Sequence, residues 1–216
     1  MKPILIIDPF VKEPVNSCFN RLVEIYSPRP CLLWQPVAYQ SIPSFSFELP
    51  LHSIIILGSA SHIYHQEKWH AVLKKFLMKQ LKNGTPVLGI CFGHQLLADH
   101  FGGKVDYAFE DKRKILKTRK LDLGKLGNYI AGVSHRQTVQ TLGKNLESLS
   151  LNAGAYCNDV IRHKKLPFVG IQPHIEASDI FLKNDCQLHN AKEKKSCLLS
   201  GRKFLKNWHK FLVSKD

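Results

Sequence analysis

The chain opens on an almost unbroken apolar run, KPILIID at residues 2–8, stopped by Pro9. A short run that is apolar at successive positions predicts a strand buried on both faces. HSIIILGS (52–59) and PVLGI (86–90) repeat the pattern, and CLLWQ (31–35) gives a weaker version of it. Between these runs the spacing turns helical. SCFNRLVEIY (17–26) predicts a short helix. QEKWHAVLKKFLMKQLKNG (66–84) predicts a longer one, because Trp69, Val72, Leu73, Phe76 and Leu77 recur at helical spacing. Asn83-Gly84 supplies its stop, and Pro86 prevents continuation. HQLLADHF (94–101) predicts a third helix, ended by Gly102-Gly103. Strands alternating with helices predict an α/β sheet with parallel neighbours.

From 104 to 172 the segments shorten to KILKTRKLDL, LESLSLN, DVIRHK and PFVGIQ. They predict an antiparallel extension of the same sheet. GRKFLKNWHKFLV (201–213) predicts a closing helix with Phe204, Leu205, Trp208 and Leu212 on one side. No repeat, low-complexity linker or composition shift divides the chain. Its 216 residues suit one sizeable core, so a single domain over 1–216 is expected.

Composition narrows the class. Hydrophobic residues make up 44% and charged residues 22%, ordinary values for a globular protein. The apolar runs are too short to cross a bilayer. The segment before Asp8 is too short for a signal peptide, so a cytoplasmic location is expected. Cysteines at 18, 31, 91, 157, 186 and 197 form no CxxC pair. Neither a zinc site nor a thioredoxin-like site is expected, and no metal or cofactor is called for. A net charge of +14 suits acidic partners, and the basic residues gather in DKRKILKTRK (111–120) and near the carboxyl end. Neither stretch has interleaved aromatics, so a solvated surface is expected there rather than nucleic-acid binding.

Cys91 stands apart from the other thiols. It falls between the strand ending at Ile90 and the helix beginning near Phe92, in GICFGHQLLADHFGG (89–103). A sharp strand-to-helix turn of this kind is a nucleophile elbow. Gly89 and Gly93 flank it, where side chains would crowd as the chain doubles back. Free backbone N–H groups at a helix start favour negative charge, which suits a thiolate. The N–H of Phe92 would point at an oxyanion formed on a carbonyl attacked by Cys91. A thiolate nucleophile needs a proton shuttle and an acid to orient it. VGIQPHIEAS (169–178) offers His174 and Glu176, two apart, just past an apolar strand. The carboxyl edge of an open α/β sheet is where site residues collect. His94 is expected to be a helix-start residue rather than a base, and His62, His65 and His70 lack metal-ligand spacing. Asp8 either faces the cleft or caps a turn.

At these residues the chain resembles the class I glutamine amidotransferases, whose triad is Cys, His and Glu. GICFGHQLLADHFGG, GIQPHIE, ILGSASHIY (56–64) and GVSHRQTV (132–139) match in order and spacing. The resemblance implies a three-layer α/β fold, flavodoxin-like, with a mixed, mostly parallel sheet between helices. It implies Cys91, His174 and Glu176 as catalytic residues and backbone N–H groups of Gly58 and Phe92 as the oxyanion hole. It implies Gln95 and the backbone around Ser134, His135 and Arg136 as the grip on substrate. Three places depart from the family pattern. The oxyanion loop reads Gly58-Ser59-Ala60-Ser61 instead of glycine pairs with a proline. Arg136-Gln137 replaces Gly-Asp, and Ile175 replaces a proline.

Three readings of function follow. The first is a glutaminase resembling the amidotransferase domain of GMP synthase, releasing ammonia for a separate synthetase. The second hydrolyses another γ-glutamyl amide, a polyamine or peptide conjugate. The third, of a different class, is a non-catalytic module that docks through its basic surface.

Overall fold

The computed structural model describes residues 1–11, 16–39, 49–152 and 157–212. Its centre is a seven-stranded sheet in the order β2 (Cys31–Trp34), β1 (Ile4–Ile7), β3 (Ser53–Ile56), β4 (Val87–Ile90), β11 (Phe168–Ile171), β10 (Val160–His163) and β9 (Leu146–Ser148). The first five strands are parallel. β10 runs antiparallel to both β11 and β9. The apolar runs at residues 2–8, 52–59 and 86–90 thus become the adjacent central strands β1, β3 and β4.

Both faces of the sheet are covered, so residues of both parities are apolar. On one face Ile4, Ile6, Ile55, Leu88, Ile90 and Ile171 pack with Leu22 and Ile25 of α1 (Asn16–Tyr26). Phe204 and Leu205 of α5 (Ala191–Asn207) complete that layer. On the other face Leu5, Ile7, Ile54, Ile56 and Val87 meet Trp69, Leu73, Phe76 and Leu77 of α2 (Lys68–Lys82). Leu96 and Leu97 of α3 (Phe92–His100) join them. Each fully buried aliphatic side chain contributes about 1.5–3 kcal/mol, which selects continuous apolar runs over alternating ones.

The section from 104 to 172 differs from the expected extension. β9 and β10 extend the main sheet antiparallel, β11 (PFVGIQ) instead joins it parallel to β4, and the section's earlier strands stand outside it. β6 (Ile115–Asp122) pairs with β7 (Asn128–His135) as a separate antiparallel hairpin, in register from Ile115 with His135 to Asp122 with Asn128. β5 (Lys104–Tyr107) pairs with β8 (Gln137–Thr141) in another small sheet. β6 carries two lysines and an arginine, and Leu121 alone among its apolar residues is fully buried. Such a strand cannot lie in a sheet covered on both faces.

The closing helix also differs. It begins at Ala191, well before residue 201, because the Asn190 side chain accepts from the Glu193 N–H at 3.1 Å and caps it. It ends at Asn207, and a 3-10 turn follows over Trp208–Phe211. Val213 lies outside the described residues. A short helix, α4 (Asp179–Asn184), adds to the expected elements. Ser178 caps it by accepting from Phe181 N–H. No helix among the described residues is long and apolar enough to cross a membrane.

Candidate active site

Cys91 follows directly on β4 and is the N-cap of α3. Its N–H donates to the Ile171 carbonyl at 2.9 Å, which ties the turn to β11. Its φ of 50° and ψ of −98° lie outside the regions an L-residue prefers. Such a backbone typically costs about 1–3 kcal/mol and persists only where its surroundings over-determine it. The two glycines contribute differently. A β-carbon at residue 89 would lie 2.6 Å from the Gly93 carbonyl, as the crowding argument requires. A β-carbon at 93 would instead meet Cβ of Ile56 on β3 at 2.7 Å. Gly93 therefore lets α3 start close against the neighbouring strand.

Phe92 is the first residue of α3, a position whose N–H has no intrahelical acceptor. Its ring is buried, with centroids 5.4 Å from Trp69 and 5.3 Å from His70. Cys91 is buried, at 6% exposure.

His174 and Glu176 sit on the turn after β11. The His174 N–H donates to the Gly132 carbonyl at 2.8 Å, so β7 of the peripheral hairpin fixes this turn. Nδ1 of the His174 ring donates to Glu176 Oε1 at 2.8 Å, with both side chains buried. That bond leaves Nε2 free of Glu176, and the imidazole and Cys91 both border Gly58. Burial pushes the imidazole's pKa down. The Glu176 carboxylate and the Cys91 sulfur outweigh burial and hold it well above the usual histidine value. Phe181 of α4 packs beside the ring at a centroid distance of 4.6 Å.

Gly58 borders the same group. Its missing β-carbon would stand 2.7 Å from His174 Cε1. The serines that depart from the family pattern tie this loop down. Ser59 Oγ donates to the Pro9 carbonyl at 2.6 Å and accepts from the Ser61 N–H at 3.0 Å. Ser61 Oγ donates to Glu67 Oε1 at 2.9 Å.

Gln95 is buried one turn along α3. Its Nε2 donates to the Gln137 carbonyl and to Gln172 Oε1, both at 2.9 Å. His135 is buried too, and its Nδ1 donates to the same Gln137 carbonyl at 2.9 Å. Burial, with Arg119 nearby, pushes His135 down to about 3, so it is neutral. Ser134 is half-buried on β7, and Arg136 is exposed at the turn between β7 and β8. Gln137 and Gln172 join the site without any local sequence signal to mark them.

Other expected residues fall elsewhere. His94 is fully buried against Gly170 and is pushed down to about 3, chiefly by burial. It stands in the first turn of α3, as expected of a helix-start residue, with its ring in the core. His62 meets Gln137 Nε2 at 3.2 Å and His70 meets Ser61 Oγ at 3.1 Å. Asp8 is buried just past β1, and burial raises its pKa against the pull of Gln35 and the Phe10 backbone. The basic stretch 111–120 is not all solvated. Arg119 donates to Asp159 at 2.6 Å in a nearly buried pair, where burial lifts Asp159 to about 6 against the pull of Arg119. Among the described residues no group of three or more His, Cys, Asp or Glu could hold a metal.

A mixed sheet between helix layers, with Cys91 at a strand-to-helix turn beside the buried His174–Glu176 pair, defines the class as an α/β protein with a candidate site at the carboxyl ends of its parallel strands. The family described as glutamine amidotransferase class-I matches residues 38–180, and the chain belongs to that family. It is 34% identical over 107 residues to a glutamine-hydrolyzing GMP synthase subunit of Methanopyrus kandleri, covering 46% of this chain and 56% of that one. It is 34% identical over 118 residues to the subunit of the same name from Methanococcus maripaludis strain C5, covering 50% and 61%. These matches span less than two thirds of the relatives' length. A crystal structure of a glutamine amidotransferase from Methylobacillus flagellatus aligns over 100% of this chain and 97% of its own, with a TM-score of 0.74 and 15% identity. That likeness is one of fold.

Proposed function

We propose that the chain is a cytoplasmic, single-domain glutaminase that hydrolyses the side-chain amide of glutamine and passes ammonia to a separate synthetase. The observation that carries this reading is the 2.8 Å contact from His174 Nδ1 to Glu176, with both His174 and the elbow residue Cys91 bordering Gly58. The family membership and the names of the relatives support it.

In this reaction the Cys91 thiolate attacks the amide carbon. The oxyanion is held by the backbone N–H groups of Phe92 and Gly58. As it collapses, the C–N bond breaks and the nitrogen takes the proton from His174 Nε2, leaving as ammonia. The γ-glutamyl group is then a thioester on Cys91. Neutral His174 takes a proton from water, and the resulting hydroxide attacks the thioester. The C–S bond breaks, glutamate leaves, and the thiolate–imidazolium pair is restored. Glu176 fixes the ring so that Nε2 faces the sulfur, and stabilises the imidazolium.

The backbone of Ser134, His135 and Arg136 grips the substrate's amino and carboxylate groups. Gln95 supports that grip indirectly, because its donors hold the Gln137 carbonyl and Gln172. The test is incubation with the glutamine analogue 6-diazo-5-oxo-norleucine, followed by peptide mass spectrometry. One adduct is expected, on Cys91, absent in Cys91→Ala and slowed in His174→Ala. Labelling of another cysteine first would overturn the assignment. Turnover of γ-glutamyl conjugates with silence toward glutamine would move the activity to the second reading of the sequence.

A further inference from the structure

The turn that carries Glu176 is held from outside the triad. Helices α1 and α5 close on it from two sides. Arg21 of α1 donates from Nη1 to the Ala177 carbonyl and from Nη2 to the Leu198 carbonyl on α5, the latter at 2.7 Å. Ser178 Oγ donates to Ser17 Oγ at 2.8 Å. Gly201 of α5 is pressed to the Ile175 carbonyl, which a β-carbon there would strike. Each residue of the 175–178 turn except Glu176 is thus gripped through its backbone or side chain by these two helices.

Glu176 itself is 2% exposed, and its Oε2 has no hydrogen-bond partner among the described residues. A buried carboxylate with one oxygen unpaired is costly unless a positive charge faces it. Two charges of that kind act on it: His174 on its own turn and Arg21 on α1. Among the described residues the other titratable groups that face it are the thiols of Cys18 on α1 and Cys186 after α4, which burial keeps neutral. Facing Arg21 in turn are Cys197 and Arg202 of α5.

We propose that Arg21 is a positioning residue for the triad, clamping the Glu176 turn to α5 and supplying the fixed positive charge that keeps the carboxylate available to His174. This rests on the reading that Glu176 serves the His174–Cys91 pair. Arg21 touches no substrate and acts through Glu176. Removing its charge makes proton uptake by the Glu176–His174–Cys91 unit easier, so the reactive thiolate–imidazolium form appears only at higher pH.

The experiment measures the rate of Cys91 alkylation by iodoacetamide against pH, read as carbamidomethyl peptide by mass spectrometry. Iodoacetamide needs no glutamine site, so the result is independent of whether glutamine is the substrate. In Arg21→Met the acid limb is expected to move up by about one pH unit. In Arg21→Lys, which keeps the charge and loses the fork, the limb stays in place while the plateau rate falls. Arg21→Gln, which retains a donor, replaces the methionine variant if that one does not fold. A limb left in place in a folded, neutral variant would overturn the proposal, because a merely structural clamp lowers the rate without moving the pH. An equal shift in the lysine variant would also overturn it.

Discussion

Gly58 and His174 stand so close that a single added carbon would collide: a β-carbon at 58 would lie 2.7 Å from His174 Cε1 and 3.5 Å from Cβ of Cys91. The residue at 58 is therefore fixed as glycine by the imidazole, independently of any role for its N–H. Gly58→Ala is expected to push the ring from the sulfur while leaving the sheet intact. Turnover of glutamine should fall by about 10²- to 10⁴-fold, the scale for losing a positioned general acid–base group. Steady-state kinetics beside a thermal melt checks this; a large drop in melting temperature would mean that the fold, not the ring, had given way.

The elbow stores backbone strain at a non-glycine residue. Cys91→Ala keeps the β-carbon and the strain, whereas Cys91→Gly removes both. Both variants should be inactive. The glycine variant should be more stable than the alanine variant by about 1–2 kcal/mol, the lower part of the usual range for such strain. Urea unfolding of the pair measures the difference directly. Equal midpoints and slopes would show that the turn is relaxed.

Much of this fold and site is legible in the sequence. The continuous apolar runs mark β1, β3, β4 and β11, because a strand covered on both faces has no polar parity. The elbow is legible because strand, cysteine and helix are neighbours in the chain, and His174 and Glu176 are only two apart. What is not legible depends on partners distant in sequence. Arg21 and Ala177 are 156 positions apart, and Gln95 and Gln172 are 77 apart. Nothing near Arg119 announces Asp159 beneath it. β7 and β8 escape the pattern since their residues alternate irregularly around the SHRQ turn, and the first half of α5 escapes it because its lysines mask the few buried positions.

Buried neutral histidines predict acid sensitivity. His94 and His135 are pushed down to about 3, and His209 to about 4, chiefly by burial. Their unfolded values lie near 6.5, so the unfolded chain takes up protons that the native state refuses. The stability they confer is full above about pH 6.5 and is lost as pH falls toward their folded values. His174 is shifted the other way and is protonated in both states below 6.5, so it adds no slope there. Its own stabilisation is lost as pH rises through its elevated folded value. Between pH 6 and 4, His94→Gln should reduce the pH slope of the unfolding free energy by about 1.4 kcal/mol per unit, one proton's worth. Chemical denaturation at several pH values gives the slope, and an unchanged slope would mean that His94 is protonated in the native state.

Gln95 binds two buried acceptors, the Gln137 carbonyl and Gln172 Oε1. Gln95→Leu matches the volume and removes both donors. The Gln137 carbonyl keeps the His135 Nδ1–H as a second donor, so the loss falls hardest on Gln172, itself 1% exposed. An unsatisfied buried acceptor of this kind costs about 1–3 kcal/mol. The backbone at 134–137 then loses one of its side-chain anchors, so the Michaelis constant for glutamine should rise more than turnover falls. Alkylation of Cys91 by iodoacetamide should be nearly unchanged, because the His174–Glu176 contact does not pass through Gln95. If alkylation slowed as much as glutamine turnover, Gln95 would be acting on the nucleophile rather than on the substrate's grip.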